Sequence, residues 1–332
     1  MKASIRFCVA GGGSWGTALA HLLAGLGYDV RLWLRDGEAA ERINQTHENA
    51  RYLPGLPLHP ALRAETDPGV LSADYLVLAI PTQQLRGWLE AHRRHLNASP
   101  VLINAAKGLE VGTLATPSRI VAESLAGTPF RFAALSGPSF AAEVMRGLPT
   151  AVVLAGREAD LVCRLRDLLS GPRFRCYSSA DVTGVEMGGA LKNIMAIAAG
   201  VSDGLHFGHN TRAALITRGL AEMSRIGMAC GALERTFMGL SGLGDLTLTC
   251  TGDLSRNRQV GLRLGQGEAL EDITARLGMV AEGVKTTLAV HDLAARLGVE
   301  APITDAVHSI LFSGEKPADA VTRLMTRTLR EE

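Results

Sequence analysis

Short apolar runs alternate with segments of helical periodicity over the first half of the chain. Such runs, bounded by glycine, proline or polar residues, are typical of buried strands, whereas apolar positions three or four residues apart indicate helices. Strands are predicted at residues 5–10, 30–34, 75–80, 101–105, 131–135, 150–155 and 174–177, and helices at 17–26, 38–43, 82–96, 116–126, 139–145 and 158–169. This alternation predicts a doubly wound, mostly parallel sheet with helices on both faces.

The strand signals end near residue 182, and the rest of the chain is predicted to be helical. Residues 182–200 read as a buried helix, because small and apolar side chains occupy nearly all of its positions. Further helices are predicted at residues 210–228, 255–264, 270–277, 284–297, 304–312 and 317–329, and loops at 51–68 and 240–251. We therefore predict a sheet domain at residues 1–182 and an all-α C-terminal domain at residues 183–332.

A glycine-rich turn, Gly11-Gly12-Gly13-Ser14-Trp15-Gly16, joins the first predicted strand to the first predicted helix. In this context the glycine spacing is typical of dinucleotide binding. Gly11 permits the tight turn, Gly13 lets the backbone approach a pyrophosphate, and Gly16 lets the helix pack close to the strand. The helix N-terminus then presents free N–H groups to the phosphates. We therefore predict that the first domain is a Rossmann-type domain.

The residues that follow other strand ends indicate which ligand this domain takes. Arg35 and Asp36 follow the second strand, where an arginine accommodates the 2′-phosphate of NADP and a carboxylate favours NAD. Asp36 could equally cap the next helix. NADP is therefore the predicted preference, with NAD possible. Lys107, Gly137 and Ser139 follow later strands, so they are expected at the edge where such sheets bind ligands, and Ser139 could also cap a helix.

Lys192 is the only formal charge in residues 188–200. Burial favours the neutral amine and so lowers the pKa of a lysine, and a lysine tuned in this way can exchange a proton near neutral pH. Alternatively, Lys192 extends its long side chain to the surface. Asp245 lies between glycines and could orient this lysine, or it could be a turn aspartate.

The segment Ser255-Arg256-Asn257-Arg258 is a candidate anion site. Ser255 can cap a helix whose free N–H groups face outward. Arg256 and Arg258 supply positive charge, and a guanidinium group suits a phosphate. The alternative is an ordinary capped surface helix.

Composition excludes several classes of protein. Hydrophobic residues make up 47% and charged residues 20%, as in folded proteins, and the net charge of +1 indicates neither a nucleic-acid partner nor an anionic membrane. Five cysteines without CxxC spacing indicate free thiols in a reducing compartment. No secretory leader and no membrane insertion are expected, so we predict a cytoplasmic protein. His206 and His209 lack partners at metal-ligand spacing, so no metal site is predicted.

Taken together, the motifs resemble those of bacterial NAD(P)-dependent glycerol-3-phosphate dehydrogenases. The similar stretches lie at residues 11–20, 49–55, 107–110, 136–141, 188–193, 242–245, 255–258 and 280–283, so the resemblance covers almost the whole chain. The lysine helix and the Ser-Arg-Asn segment are more specific to the family than the glycine turn. Trp15 and Arg35 occupy positions where other members carry tyrosine and histidine, and Arg35 strengthens the prediction of NADP.

The resemblance implies a homodimer that reversibly reduces dihydroxyacetone phosphate to sn-glycerol 3-phosphate for glycerophospholipid synthesis. It implies that Lys192 donates the proton to the carbonyl oxygen and accepts it in the reverse direction. The implied substrate contacts are Lys107, Gly137, Ser139, Asp245, Ser255, Arg256 and Asn257, and the implied cofactor contacts are Ser14, Trp15, Arg35, Lys107, Ala141, Arg256, Val280 and Glu282. We hypothesise further that Lys107 adds positive charge at the carbonyl oxygen. Asp245 and Asn193 are expected to fix Lys192.

Two other functions fit part of this pattern. A dehydrogenase of the β-hydroxyacid or ketopantoate type also combines a Rossmann-type domain with a catalytic lysine, but it lacks the segment that would hold a phosphate. A non-catalytic NADP-binding sensor would need no buried lysine.

Overall fold

The computed structural model describes residues 5–277 and 281–326. The chain divides into two compact units, Met1–Lys107 with Pro117–Val182, and Gly108–Thr116 with Thr183–Glu332. The segment Gly108–Thr116, which we expected in the first domain, groups with the second unit because Leu109 is buried in that unit's hydrophobic core.

An eight-stranded sheet forms the centre of the first unit. Its strands are β1 (Arg6–Ala10), β2 (Asp29–Trp33), β3 (Arg63–Glu65), β4 (Tyr75–Leu78), β5 (Val101–Asn104), β6 (Arg131–Ser136), β7 (Thr150–Ala155) and β8 (Phe174–Ser179). They lie in the order β3-β2-β1-β4-β5-β6-β7-β8, and all neighbours are parallel except β6 and β7. The predicted doubly wound, mostly parallel sheet is confirmed. The strand order reverses between β1 and β4, the place where such sheets bind ligands.

Six helices accompany this sheet in the described residues: α1 (Ser14–Gly25), α2 (Gly37–Thr46), α3 (Thr82–His92), α4 (Pro117–Ser124), α5 (Ala141–Met145) and α6 (Ala159–Leu169). Short 3-10 turns occur at Pro68–Leu71 and Arg93–His95. The central strands are buried on both faces, as Phe7 to Ala10 illustrate, and this explains their continuous apolar runs.

Three local predictions in the first unit need correction or refinement. Residues 51–68 are not entirely a loop, because they contain the short edge strand β3. Neither Thr82 nor Ser139 caps a helix: Pro81 and Phe140 occupy the N-cap positions of α3 and α5. Asp36 does cap α2, because its carboxylate accepts a hydrogen bond from the backbone N–H of Ala39 at 3.0 Å.

The described residues of the second unit contain helices and no strand. The helices are α7 (Val182–Gly204), α8 (Gly208–Ala229), α9 (Glu234–Phe237), α10 (Asp245–Thr251), α11 (Arg256–Gly265), α12 (Leu270–Leu277), α13 (Glu282–Leu297), α14 (Pro302–Phe312) and α15 (Pro317–Met325). The loop predicted at residues 240–251 is wrong, because a π-helical turn at Leu240–Gly244 leads directly into α10. Within the described ranges, no helix has the length and apolarity needed to cross a membrane.

Helix α7 is the core of the second unit, and glycines bring α11 against its backbone. Every residue of α7 from 184 to 202 is buried. A Cβ atom added to Gly200 would lie 2.0 Å from the carbonyl oxygen of Arg258, and one added to Gly261 would lie 1.9 Å from that of Ile197. Gly204 and Gly265 make similar approaches one turn later. This packing places α11 beside the C-terminal third of α7.

Candidate active site

The glycine turn of the first unit has the geometry of a pyrophosphate site. Gly11 has φ +118°, and a Cβ there would lie 2.4 Å from the carbonyl oxygen of Ala79. A Cβ on Gly16 would lie 2.0 Å from the carbonyl oxygen of Gly11, so neither position accepts a side chain. At Gly13, in contrast, a Cβ would have no described neighbour within 4 Å, so the backbone is open to a ligand.

The start of α1 also suits an anion. Gly13 is its N-cap, and in this fully described helix no side chain caps the N-terminus and no acidic residue lies in the first turn. The first N–H groups of a helix lack partners within the helix and carry partial positive charge. Ser14, Trp15 and Gly16 supply such groups, so this turn can hold the pyrophosphate of a dinucleotide.

Two charged residues follow β2, but only one of them is engaged in capping. Asp36 caps α2, as described above, so one of its two carboxylate oxygens already accepts a hydrogen bond from the helix. Arg35 is exposed directly after the strand. This arrangement favours the arginine as the residue that meets the adenosine end of a cofactor, where it would suit a 2′-phosphate.

Three residues predicted to contact substrate lie together after β5 and β6. The Lys107 Nζ atom donates a hydrogen bond to the carbonyl oxygen of Gly137 at 3.2 Å, and the Ser139 hydroxyl donates to the same oxygen at 2.9 Å. Gly137 has φ +129°, and a Cβ there would lie 3.0 Å from the backbone of Val152. The three residues therefore form one cluster at the carboxyl edge of the sheet, and Ala141 starts α5 close behind them in sequence.

In the second unit, Lys192 is buried and paired. Its Nζ atom lies 2.6 Å from Asp245 Oδ1 and 2.9 Å from Thr249 Oγ1. The exposed fractions of the Lys192 and Asp245 side chains are 9% and 2%. The alternatives, in which Lys192 extends to the surface and Asp245 is an ordinary turn residue, are therefore wrong. Gly188, one turn before Lys192, makes this pairing possible, because a Cβ there would lie 2.5 Å from the carbonyl oxygen of Ser241 in the π-helical turn.

Two opposing effects act on the charge of Lys192. Burial favours the neutral amine, whereas the carboxylate of Asp245 favours the ammonium. Thr249 holds the pair together, because its hydroxyl lies 2.6 Å from the backbone oxygen of Asp245 one helical turn earlier. Burial raises the pKa of the neighbouring Cys250 thiol to about 12, so this thiol stays neutral and does not compete for the proton. We missed Thr249 in the sequence because its spacing from Asp245 has meaning only in a helix.

The segment that begins α11 is capped as predicted, but its two arginines differ. The Ser255 hydroxyl accepts a hydrogen bond from the backbone N–H of Arg258 at 3.2 Å. The Arg258 guanidinium is buried and donates to Asp203 and Asp253, each at 2.8 Å. We expected Arg258 to help bind an anion, but its guanidinium is used in these structural ion pairs. Arg256, exposed at the first position of the helix, is the arginine placed to meet a phosphate.

Two asparagines near this segment have surroundings that the sequence did not indicate. The side-chain oxygen of Asn257 accepts a hydrogen bond from the backbone N–H of Gly283 at 3.0 Å, so it caps α13 and fixes the start of that helix at Glu282. Among the described residues, the Asn193 side chain makes no hydrogen bond to Lys192. Asp245 and Thr249 fix the lysine instead. Val280, a predicted cofactor contact, lies outside the described residues.

Comparisons with known proteins identify the family. A family model described as the NAD-dependent glycerol-3-phosphate dehydrogenase N-terminus matches residues 6–162, and the corresponding C-terminus model matches residues 181–322. The chain belongs to the NAD-dependent glycerol-3-phosphate dehydrogenase family. The glycine turn and the buried lysine therefore lie in the two parts of the chain that the family's N- and C-terminal models match.

Individual relatives agree with this assignment over the full length of the chain. The protein named glycerol-3-phosphate dehydrogenase (NAD(P)+) from Desulfovibrio desulfuricans is 64% identical over 332 residues, with 100% of each chain covered. The protein of the same name from Nitratidesulfovibrio vulgaris is 59% identical over 330 residues, with 99% of this chain and 100% of the relative covered. A crystal structure of glycerol-3-phosphate dehydrogenase from Coxiella burnetii has a TM-score of 0.93 at 40% identity, covering 97% of this chain and 99% of that one.

Proposed function

We infer that this protein is an NAD(P)-dependent oxidoreductase that reversibly reduces dihydroxyacetone phosphate to sn-glycerol 3-phosphate. Full-length identity of 64% and 59% to relatives that carry this enzyme name supports the reaction. The observation that carries the catalytic assignment is the buried ion pair of Lys192 and Asp245. A charged lysine in the middle of an apolar helix is costly to bury, and proton transfer to a reacting oxygen gives it a function.

The reaction needs a hydride at carbon 2 of the ketone and a proton at its oxygen. When bound, the reduced nicotinamide supplies the hydride. We propose that Lys192 Nζ gives its proton to the carbonyl oxygen as negative charge develops there, and that the resulting amine regains a proton from solvent. Asp245 and Thr249 orient the nitrogen for this step. In the reverse direction the neutral amine takes the proton of the alcohol.

The phosphate of the substrate would be held by the start of α11. Arg256 can bind a phosphate through two N–H groups, and the Ser255 cap and the Asn257 amide fix the segment from which it projects. In the first unit, we propose that Lys107, Gly137 and Ser139 also contact substrate, with the Lys107 ammonium adding positive charge near the carbonyl oxygen. These contacts orient the ketone for hydride transfer.

We propose that NADP is the preferred cofactor and that NAD is also used. The exposed Arg35, together with the use of Asp36 as a helix cap, supports this preference. We propose Ser14, Trp15, Ala141 and Glu282 as further contacts from the family resemblance. All five cysteines are free thiols, which supports a reducing, cytoplasmic location. A homodimer and a role in glycerophospholipid synthesis are proposed from the resemblance.

A first experiment follows the loss of reduced-nicotinamide absorbance with dihydroxyacetone phosphate. We expect turnover with both cofactors and a higher kcat/KM with NADPH, and Arg35→Ala should reduce that difference. Lys192→Ala should lower kcat by about 10²- to 10⁴-fold while NADPH binding, measured by fluorescence, changes little. Near-normal turnover in this variant would remove Lys192 from the mechanism, and NADPH binding without any turnover of the wild type would favour a sensor or a ketoacid substrate.

The pH profile tests the pairing more finely. Reduction requires the protonated lysine, so the rate falls on the alkaline side of the profile. Asp245→Asn removes the charge that favours the ammonium, and the alkaline limb should therefore move to lower pH. Thr249→Val removes the hydroxyl that bonds to Lys192 and Asp245 but removes no charge, so its profile should move less. Identical profiles for wild type and Asp245→Asn would contradict the assigned proton donor.

A further inference from the structure

Asn49 is a buried side chain that reaches the glycine turn from 37 residues away. Its exposed fraction is 6%. The Nδ2 atom donates one hydrogen bond to the carbonyl oxygen of Gly12 at 2.9 Å and another to Thr17 Oγ1 at 2.8 Å. An amide nitrogen carries two hydrogens, so both are used on the turn and the helix that follows it.

The segment that carries Asn49 is itself firmly held. The backbone oxygen of Asn49 accepts hydrogen bonds from the N–H groups of Tyr52 and Leu53 at 3.0 and 2.8 Å. Leu53 and Leu58 are buried in the core of the first unit, and the Leu58 N–H donates a hydrogen bond to the backbone oxygen of His47 at 2.7 Å. Residues 49–55 are one of the stretches similar to the glycerol-3-phosphate dehydrogenase family, but the resemblance implies no role for them. The contacts make this segment a rigid support for the Asn49 amide.

The bond to Gly12 determines where the next N–H group points. In a trans peptide, the carbonyl and the N–H of the same unit point in opposite directions. When Asn49 holds the Gly12 oxygen, the Gly13 N–H must therefore point away from Asn49. Both residues that flank this peptide are glycines, so rotating it by half a turn has little steric cost. The rotated peptide would present a carbonyl oxygen where the N–H now lies.

We propose that Asn49 is a positioning residue for binding the cofactor's pyrophosphate. It locks the Gly12–Gly13 peptide with its N–H outward and prevents the orientation in which a carbonyl oxygen would repel phosphate. The inference rests on the proposed function, because it takes the glycine turn as the site of a dinucleotide. Asn49 acts through the peptide and touches no ligand itself.

Competition against NADPH fluorescence with two fragments tests this role. ADP contains the pyrophosphate, whereas adenosine 2′-monophosphate lacks it and depends on the residue that meets the 2′-phosphate. Asn49→Leu should weaken the binding of ADP by about tenfold, as for a lost hydrogen bond, and leave the affinity for adenosine 2′-monophosphate unchanged. Asn49→Asp should weaken ADP more, because it sets a carboxylate against the Gly12 oxygen. The KM for NADPH should rise in both variants with kcat largely kept.

Asn44 provides the matched control. Its side chain makes two hydrogen bonds to the backbone of Ala64, at 2.9 and 2.8 Å, in the same unit but away from the glycine turn. Asn44→Leu should lower the thermal midpoint without changing the ratio of the two fragment affinities. Arg35→Ala should show the opposite selectivity to Asn49→Leu: its affinity for adenosine 2′-monophosphate should fall and its affinity for ADP should stay unchanged.

Several results would overturn the proposal. Wild-type affinity for ADP in both Asn49 variants, or equal losses of ADP and adenosine 2′-monophosphate, would mean that Asn49 only stabilises the fold. If Asn49→Leu does not fold, Asn49→Asp decides, because the new side chain has the same size and its carboxylate can accept a hydrogen bond from the Thr17 hydroxyl, to which the Asn49 amide donates one. If the wild type fails to bind NADPH, both the proposed function and this inference are wrong. If the wild type binds NADPH but the Asn49 variants lose ADP and adenosine 2′-monophosphate equally, only this inference is wrong.

Discussion

At the scale of single residues, two clusters of buried charge in the second unit differ in whether they can exchange a proton. Lys192 and Asp203 lie on the same helix, and each is buried against a partner of opposite charge. The Lys192 pair can act on a proton, whereas Asp203 lies between two guanidinium groups, those of Arg212 and Arg258. Arginine stays protonated in proteins, so this second cluster has no role in proton transfer.

The two neighbouring arginines of α11 should therefore behave differently. Arg258→Met should lower the free energy of unfolding by about 3 kcal/mol, near the lower limit for breaking a buried pair because Asp203 keeps Arg212. Its KM for dihydroxyacetone phosphate should stay close to that of the wild type. Arg256→Ala should raise this KM by about tenfold or more and change the urea midpoint little. Equal effects of the two variants on KM would mean that the phosphate contact is wrongly assigned.

Sequence reasoning identified the residues with local signals. Lys192 was recognisable because a lone charge in an apolar helix is unusual, and Ser255 because a serine before a helix is a common cap. The separate roles of Arg256 and Arg258 could not be predicted, because the pairing partner Asp203 lies 55 residues away from Arg258. Asn49 belongs to a stretch that resembles the family's motifs, but its bond to the glycine turn depends entirely on tertiary structure.

At the scale of elements, burial explains both the correct and the missed predictions. The central strands are apolar on both faces, so they were found, whereas β3 has three residues of which only Ala64 is buried. Helix α10 was missed because the glycines of Leu240–Gly244 resemble a turn. There, the close approach of Gly188 to Ser241 stabilises a π-helical turn that local propensity does not favour.

The contact between α7 and α11 gives a prediction about an element. Gly261→Ala would place a Cβ 1.9 Å from the backbone oxygen of Ile197, so the helices must separate. We expect a loss of about 3 kcal/mol in the free energy of unfolding, as in severe overpacking. Gly87 is the control: it lies in α3, and a Cβ there meets nothing within 4 Å in the described structure.

In urea titrations, Gly87→Ala should therefore raise the free energy of unfolding by about 0.4–1 kcal/mol, because alanine restricts the unfolded chain. Movement of α11 should also disturb Asn257, which holds the start of α13, so kcat/KM of Gly261→Ala should fall. Equal stabilities of Gly261→Ala and Gly87→Ala would contradict the direct backbone contact of the two helices.

At the scale of the whole molecule, each unit has its own hydrophobic core, and buried cysteines mark both units. Cys8 and Cys176 lie in β1 and β8 of the first unit, and Cys250 lies in α10 of the second. Burial raises the pKa of each of these thiols to about 12. The thiolate is the reactive form, so these three cysteines should resist alkylation in the folded protein at pH 8.

Thiol labelling in increasing urea therefore measures the unfolding of each unit. In the native protein we expect the exposed Cys163 to react first, and Cys230 more slowly because burial raises the pKa of its thiol. Cys8 and Cys176 should become reactive at one urea concentration, since their strands belong to the same sheet, and Cys250 at a different one, since no residue is shared between the two cores. Mass spectrometry of quenched samples identifies each labelled cysteine. One common midpoint for all three buried thiols would show that the chain unfolds as a single cooperative structure, and different midpoints for Cys8 and Cys176 would show that the sheet does not unfold as a unit.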